Sequence, residues 1–247
     1  MMAIYYTILY QPLFNLLIWL YNVLPGDSIG LAIVVLTVLI RLILYPFTAQ
    51  SFKAQHSMQS LQPKLDAIKR EHKDNKEKQS LAMMQLYKTE KINPLSSCLP
   101  MLIQLPFLIA VYQVFRQGLA NGSFDLLYSF VASPERIDTW FWGMDLGQPQ
   151  VILAVLAAGA QFWQGWMMKM LRPSPDPATG GKIAGSKDED MAAMMTKQMM
   201  YVMPVMTLFI GLKLPGGLAL YWCLTTLLMV AQQWWYFRKK TPPITSS

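Results

Sequence analysis

The run IGLAIVVLTVLIRLILYPF, residues 29–47, decides the class of this protein. It is almost pure hydrocarbon over close to the roughly 20 residues that a helix needs to cross a bilayer. Its one charge is Arg41. Comparable runs recur at residues 95–115, 151–170, 198–212 and 218–237. Of the 247 residues 53% are hydrophobic and only 14% charged, where a soluble domain carries about 25% charged. The fold class expected is an all-α integral membrane protein. Five transmembrane helices, drawn from residues 28–48 and 94–237, form the bundle.

The remaining stretches read differently. Residues 4–24 are apolar but interrupted by Gln11, Pro12, Asn15 and Asn22, and crowded with Tyr5, Tyr6, Tyr10, Trp19 and Tyr21. Such aromatics favour the headgroup level. Residues 1–27 are therefore read as an N-terminal interfacial helix. The competing reading is a true span, joined to the next helix through Pro25-Gly26-Asp27-Ser28. Residues 49–93 are polar, with the run Lys69-Arg70-Glu71-His72-Lys73-Asp74, and both halves show helical spacing. They predict a cytoplasmic helical hairpin turning near Asp74-Asn75. Residues 118–149 read as a loop with the cluster Trp140, Phe141 and Trp142. Residues 172–197 form a Pro/Gly-rich loop, and residues 238–247 a short basic tail.

The net charge of +7 sits mostly in these connections. Lys53, Lys64, Lys69, Arg70, Lys73, Lys76, Lys78, Lys88 and Lys91 lie between spans one and two. Arg172, Lys182, Lys187 and Lys197 lie between spans three and four, and Arg238, Lys239 and Lys240 follow span five. The other connections hold Arg136 and Lys213, with Arg116 at a border. Basic loops stay in the cytoplasm. Five spans, with the N-terminus outside and the C-terminus inside, satisfy every loop. The start of the chain shows neither a basic leader with a cleavage site nor an Arg/Ser-rich transit pattern. The expected location is therefore a bacterial inner membrane.

Several functions are disfavoured. Cys98 and Cys223 fall in apolar spans and read as small core residues. His56 and His72 lack a ligand cluster, so neither a metal nor any other cofactor is expected. No zinc-finger spacing, phosphate loop or basic stripe with stacking aromatics points to a specific nucleic acid. No nucleophile–base pair and no paired intramembrane carboxylates are visible, so an enzyme is not expected.

Arg41 is the informative residue. An arginine deep in a span costs about 2.5–3.5 kcal/mol on insertion scales. No acidic residue lies in the apolar cores of the spans. Arg41 either snorkels to the cytoplasmic surface or lies in a polar cavity. Thr37 one turn earlier, Gln104 in the second span, and Gln161 and Gln164 on one face of the third are candidate lining residues. So are Trp222, Thr225, Thr226 and Gln232 in the fifth. Each alone reads as interhelical glue; with an unpaired arginine they favour a wet groove. Met167, Met168 and Met170 end the third span, and Met191, Met194, Met195, Met199, Met200, Met203 and Met206 lead into the fourth. They suit either gap-filling and lipid contact or a surface that accepts varied apolar partners.

The run Lys91-Ile92-Asn93-Pro94-Leu95-Ser96-Ser97-Cys98-Leu99-Pro100-Met101-Leu102-Ile103-Gln104-Leu105-Pro106 resembles the second-span signature of the YidC/Oxa/Alb insertase family. Leu36-Thr37-Val38-Leu39-Ile40-Arg41, Met58-Gln59-Ser60-Leu61-Gln62-Pro63 and Leu218-Ala219-Leu220-Tyr221-Trp222 extend the likeness, in order, over nearly the whole chain. The resemblance implies five helices around a hydrophilic groove, open to cytoplasm and lipid and closed outside. Arg41 matches the family's groove arginine, and Gln104 and Trp222 fall at groove-facing motif positions. Two departures stand out: no large extracytoplasmic domain or extra N-terminal span, and a tail too short for a ribosome-binding extension.

The function expected is that of a membrane protein insertase and chaperone. Short hydrophilic stretches of nascent membrane proteins would pass through the positively charged groove, and their apolar helices would be released into lipid. Its partners would be those nascent chains and the bilayer, with room for the ribosome, signal recognition machinery and the Sec translocon. The alternative is a small anion transporter or channel using Arg41, against which the large charged hairpin and the lack of internal repeats speak.

Overall fold

Residues that end or cap helices set the boundaries of nearly every element. The computed structural model describes residues 5–73, 75–91, 99–115, 124–170 and 198–240. Asp74, Cys98, Arg116, the loop of residues 171–197 with Met191, Met194 and Met195, and the tail beyond Lys240 lie outside the described residues.

A π-helical turn at Tyr6–Tyr10 leads into α1 (Gln11–Val23), with Pro12 in its first turn, where a missing N–H is harmless. The chain reverses through Gly26 and Asp27 at φ 87° and 44°. Ser28 then caps α2 (Ile29–Ile43), its Oγ accepting from Leu31 N. On α2 the buried set Ile29, Ala32, Ile33, Leu36, Thr37, Ile40 and Arg41 repeats every three or four residues, which is one face of a helix. Val38, Leu42 and Ile43 face outward.

The first span differs from expectation. The helix stops at Ile43 rather than Phe47, and the continuation Tyr45–Ile68, which opens with α3 (Tyr45–Ser60), leaves at 58° to it. Pro46 explains the break, since it has no N–H to bond back and its ring crowds the preceding turn. The 15 residues of α2 extend about 22 Å, short of a hydrocarbon core of about 30 Å. Among the described residues no single helix is long and apolar enough to cross a membrane; α2 with its bent continuation Tyr45–Ile68 passes that test.

Where a two-part hairpin is expected there are three helices. After α3 the chain breaks at Leu61, then forms α4 (Gln62–Glu71) and α5 (Lys76–Thr89). The reversal falls between them, and Asn75 caps α5 by accepting from Lys78 N at 3.0 Å. Lys64 pairs with Glu90 across the two helices. Leu61, Leu65 and Gln79 are the buried residues described in 61–91, so this unit has little core of its own. The base of α3 is held elsewhere: Tyr45, Phe52 and His56 meet the rings of Trp235, Tyr236 and Phe237.

Next comes α6 (Leu99–Gln113), with Pro106 inside it. Residues 124–150 are not purely loop: β1 (Trp140–Phe141) pairs antiparallel with β2 (Met144–Asp145) around Trp142 and Gly143, both at positive φ. Asp145 holds this ribbon, accepting from Thr139 Oγ1 at 2.6 Å and Gly147 N at 2.9 Å. Then follow α7 (Val151–Met170), a π-helical turn at Gln198–Val202, the nine-residue α8 (Met203–Gly211) and the 25-residue α9 (Gly216–Lys240).

One core joins α1, α2, α6, the start of α9 and two loop residues, Val131 and Leu146. On α7 Leu153 reaches this core, while the small residues Ala154, Ala157 and Ala160 lie against Gly211 and Cys223, which lets helix backbones approach. Cys223 is a free, buried thiol in that packing. The opposite face of α7 exposes Val151, Ile152, Val155, Leu156, Phe162, Trp163 and Trp166. A small cavity lies between Leu13, Leu17, Ile33, Leu36, Val111, Val114, Phe115 and Tyr221.

Candidate functional site

Arg41 belongs to the buried stripe of α2 and is only 4% exposed. Among the described residues, a side chain so enclosed neither reaches the surface nor lines an open cleft. Its Nη2 donates to Gln104 Oε1 of α6 at 3.3 Å. Gln104 Nε2 in turn donates to Tyr221 Oη of α9 at 2.8 Å, and Thr225, one turn further along α9, is buried beside the same tyrosine. The backbone of Arg41 is also engaged: its carbonyl accepts from Gln232 Nε2 at 3.5 Å. Three helices thus meet on a polar chain that starts at a cation.

Among the described residues no carboxylate pairs with Arg41. A guanidinium offers five N–H donors in a planar fork, and the neutral amide of Gln104 engages only part of it. Taking a charge out of water costs several kcal/mol unless it is paired and hydrogen-bonded. A site of this kind favours any group that brings acceptor oxygens, above all a carboxylate, which the fork can bind in bidentate fashion.

The other candidate residues divide into two groups. Thr37 is buried beside Arg41 on α2, but its hydroxyl donates to Ile33 O at 2.6 Å. Thr226 likewise donates to Trp222 O at 2.9 Å, and Trp222 is half-buried. These hydroxyls satisfy themselves on their own helices, leaving oxygen lone pairs for anything that approaches. Gln161 and Gln164 lie elsewhere. Gln161 accepts from Thr207 of α8, and Gln164 Nε2 meets Met229 Sδ of α9. Neither bonds to the arginine chain; they tie α7 to its two neighbours.

Tyr221 is the residue that side-chain chemistry brings into the site without having been singled out from the sequence. The signal was there: a tyrosine in a span must place its hydroxyl on a partner, and Thr225 stands four residues on, on the same face. Gln232 Oε1 and both side-chain polar atoms of Gln233 are buried without a hydrogen-bond partner among the described residues. They add unsatisfied polarity to the same helix. Among the described residues no group of His, Cys, Asp and Glu could hold a metal ion.

The end of the bundle beneath the 124–138 loop is closed differently. Asn15 Nδ2 donates to Leu126 O at 3.0 Å, and its Oδ1 accepts from Tyr128 N at 2.6 Å. Asn22 donates to Ala132 O, and Tyr21 Oη accepts from Asp138 N at 3.0 Å. The polar residues of α1 are therefore consumed by the 124–138 loop. At the start of α9, Gly216 N and Gly217 N donate to Gln148 O and Leu146 O at 2.8 and 2.9 Å.

The profile of the family described as 60Kd inner membrane protein matches residues 19–243. The chain is 33% identical to the "Membrane protein insertase YidC" of Ectopseudomonas mendocina over 88% of its own length and 32% of that protein. It is 32% identical to that of Fusobacterium nucleatum, covering 81% of this chain and 82% of that one. Among solved structures it resembles one titled "Active YidC insertase crystal structure with the first transmembrane domain resolved". There the TM-score is 0.59 at 25% identity, over 96% of this chain and 47% of that chain. The chain thus spans about a third of the first relative and about half of the solved structure.

Proposed function

The chain belongs to the 60Kd inner membrane protein family, the YidC/Oxa insertases, and from that membership we propose that it inserts nascent proteins into the bacterial inner membrane. The observation that carries the mechanism is Arg41, buried, unpaired by any described carboxylate and hydrogen-bonded to neutral Gln104. A client presents a short hydrophilic stretch at the cytoplasmic mouth. Arg41 attracts its acidic groups partway across the bilayer, with Gln104, Tyr221, Thr225 and Gln232 supplying polar contacts around it. Thr37, Trp222 and Thr226 line the same groove, and Gln161 and Gln164 extend it along α7. The apolar helix of the client then leaves into lipid by partitioning, with the membrane potential adding about 2.3 kcal/mol per charge per 100 mV.

The arrangement that goes with this mechanism is five spans over residues 28–48 and 94–237, N-terminus outside, C-terminus in the cytoplasm. Residues 1–27 lie in the outer interface, residues 49–93 form the cytoplasmic hairpin that receives the client or its delivery machinery, and residues 238–247 form a basic tail. Support for the interfacial helix comes from Asn15, Tyr21 and Asn22, which all bond to a loop carrying Asp125, Glu135, Arg136 and Asp138. Such a loop belongs outside the hydrocarbon. The ribosome, signal recognition machinery and Sec translocon are partners under the same proposal. The test is depletion of the protein, followed by protease protection of a small single-span client with an acidic translocated segment. Insertion should fall several-fold; insertion unchanged by depletion overturns the reading.

A further inference from the structure

The tip of the β1–β2 ribbon carries a tryptophan where the backbone least tolerates one. Trp142 and Gly143 form the two-residue turn between paired strands, at φ 47° and 77°. A two-residue turn with both φ positive is usually Asn-Gly, and a bulky residue at positive φ is a rare choice. Yet the Trp142 side chain is 87% exposed, and Trp140, two residues earlier, 61%. An indole that is neither packed into the core nor backbone-compatible gains nothing from standing in water.

The ribbon is also rigidly mounted. Phe141 stacks on Trp142 with ring centroids 5.0 Å apart and planes 10° from parallel. On its other side Phe141 lies over Gly30, where a β-carbon would fall 2.2 Å from Phe141 Cγ. Gly30 is in the first turn of α2, so the ribbon is seated on the end of that helix. Five residues separate its second strand from α7, whose exposed apolar face begins with Val151 and Ile152. The indoles therefore sit at the end of the bundle, continuous with a surface that faces lipid in an inner-membrane protein.

We propose that the Trp140–Trp142 ribbon is a membrane anchor whose indoles lie in the headgroup zone of the outer leaflet. Tryptophan favours this level because its ring is apolar while its N–H can bond to headgroup oxygen or water. The anchor fixes the height of α2, and hence of Arg41, against the bilayer. It also ends the lipid-facing surface of α7 at a defined depth.

The test uses the full chain reconstituted in phosphatidylethanolamine–phosphatidylglycerol vesicles. A bimane is attached to Trp142→Cys in a background with Cys98→Ser and Cys223→Ser, and separately to Ser133→Cys, an exposed position in the polar loop. Spin-labelled lipids carrying the nitroxide near the headgroup should quench the Trp142→Cys probe at least three-fold more than the Ser133→Cys probe. Aqueous iodide should give the reverse order. Trp142→Asn supplies a second measurement that preserves the turn: it should cut the quenching of intrinsic tryptophan fluorescence by headgroup-proximal spin labels. Equal iodide quenching at both sites, or unchanged lipid quenching in Trp142→Asn, overturns the anchor. So does a probe shielded from iodide only in native membranes and open to it in pure vesicles, which would assign the ribbon to a protein partner.

Discussion

Gln104 gives its amide hydrogen to Tyr221 Oη at 2.8 Å while its carbonyl oxygen receives Arg41, so one amide orients both the cation and the phenol. Tyr221→Phe leaves that amide donor without its acceptor. Interhelical bonds in membranes average about 0.6 kcal/mol and reach about 1.7, so a loss of about 1 kcal/mol is expected in denaturant unfolding in micelles. A double-mutant cycle with Gln104→Leu should show most of that loss as coupling. Strict additivity of the two substitutions would mean the pair does not act as a unit.

Arg41 separates charge from geometry. If attraction of acidic client groups is its role, Arg41→Lys should keep much of the activity despite losing the planar fork. Arg41→Ala should then impair chiefly those clients with Asp or Glu in the translocated stretch. The measurement is insertion of one client, with its acidic residues present or neutralised, in all three backgrounds. An alanine defect of equal size for both client forms would leave electrostatic attraction without support.

Topology is checked by labelling. Single cysteines at Ser133, in the loop bonded to α1, and at Ser80, on α5, are both exposed. An impermeant maleimide should reach Ser133→Cys from outside and Ser80→Cys only from the cytoplasmic face. Reaction of both from one side would remove the odd number of spans between them.

Gly217 has no room for a side chain: a β-carbon there would lie 2.1 Å from Phe115 Cε1. Gly217→Ala should cost about 1–3 kcal/mol, as overpacked cores do. Phe115→Leu should relieve part of this, making the double variant more stable than the sum of the single losses. Thermal unfolding in detergent gives the answer, and a fully additive pair would show that the clash is absorbed elsewhere.

The α4–α5 unit has few buried residues, so its amides should exchange orders of magnitude faster than those of α2. Hydrogen-exchange mass spectrometry over residues 62–89 against residues 30–42 measures this. Equal protection of the two peptides would show that the unit carries a tighter core than its burial implies.

Much of this architecture could be read from residue pattern. The apolar runs, Arg41 as the odd charge, and a reversal beside Asn75 all follow from hydropathy, charge and capping chemistry. The early end of the first helix had a cue too, since Pro46 disfavours the continuation that hydropathy suggests, although α6 runs on through Pro106. What could not be read was lateral: that Arg41 would find Gln104 rather than Gln161 or Gln164 depends on which helices neighbour one another. One-dimensional periodicity is silent on that. The ribbon at Trp140 escaped because its strands are two residues long and its turn carries a tryptophan in place of the usual asparagine.

The 58° break after α2 has a mechanical meaning. Arg41 lies about 6 Å before the break, whereas α3, with 16 residues, reaches about 24 Å beyond it. A swing of 10° about the break carries the far end of α3 through about 4 Å, yet the hinge itself hardly shifts. Under the proposed function the joint would act as a wrist: a client or its delivery machinery could displace the far end of α3 while the cation stays registered against Gln104, the near end being held by the rings of α9. Replacing Pro46 by a helix-forming residue would splint that wrist and convert the arm into a crowbar acting on Arg41.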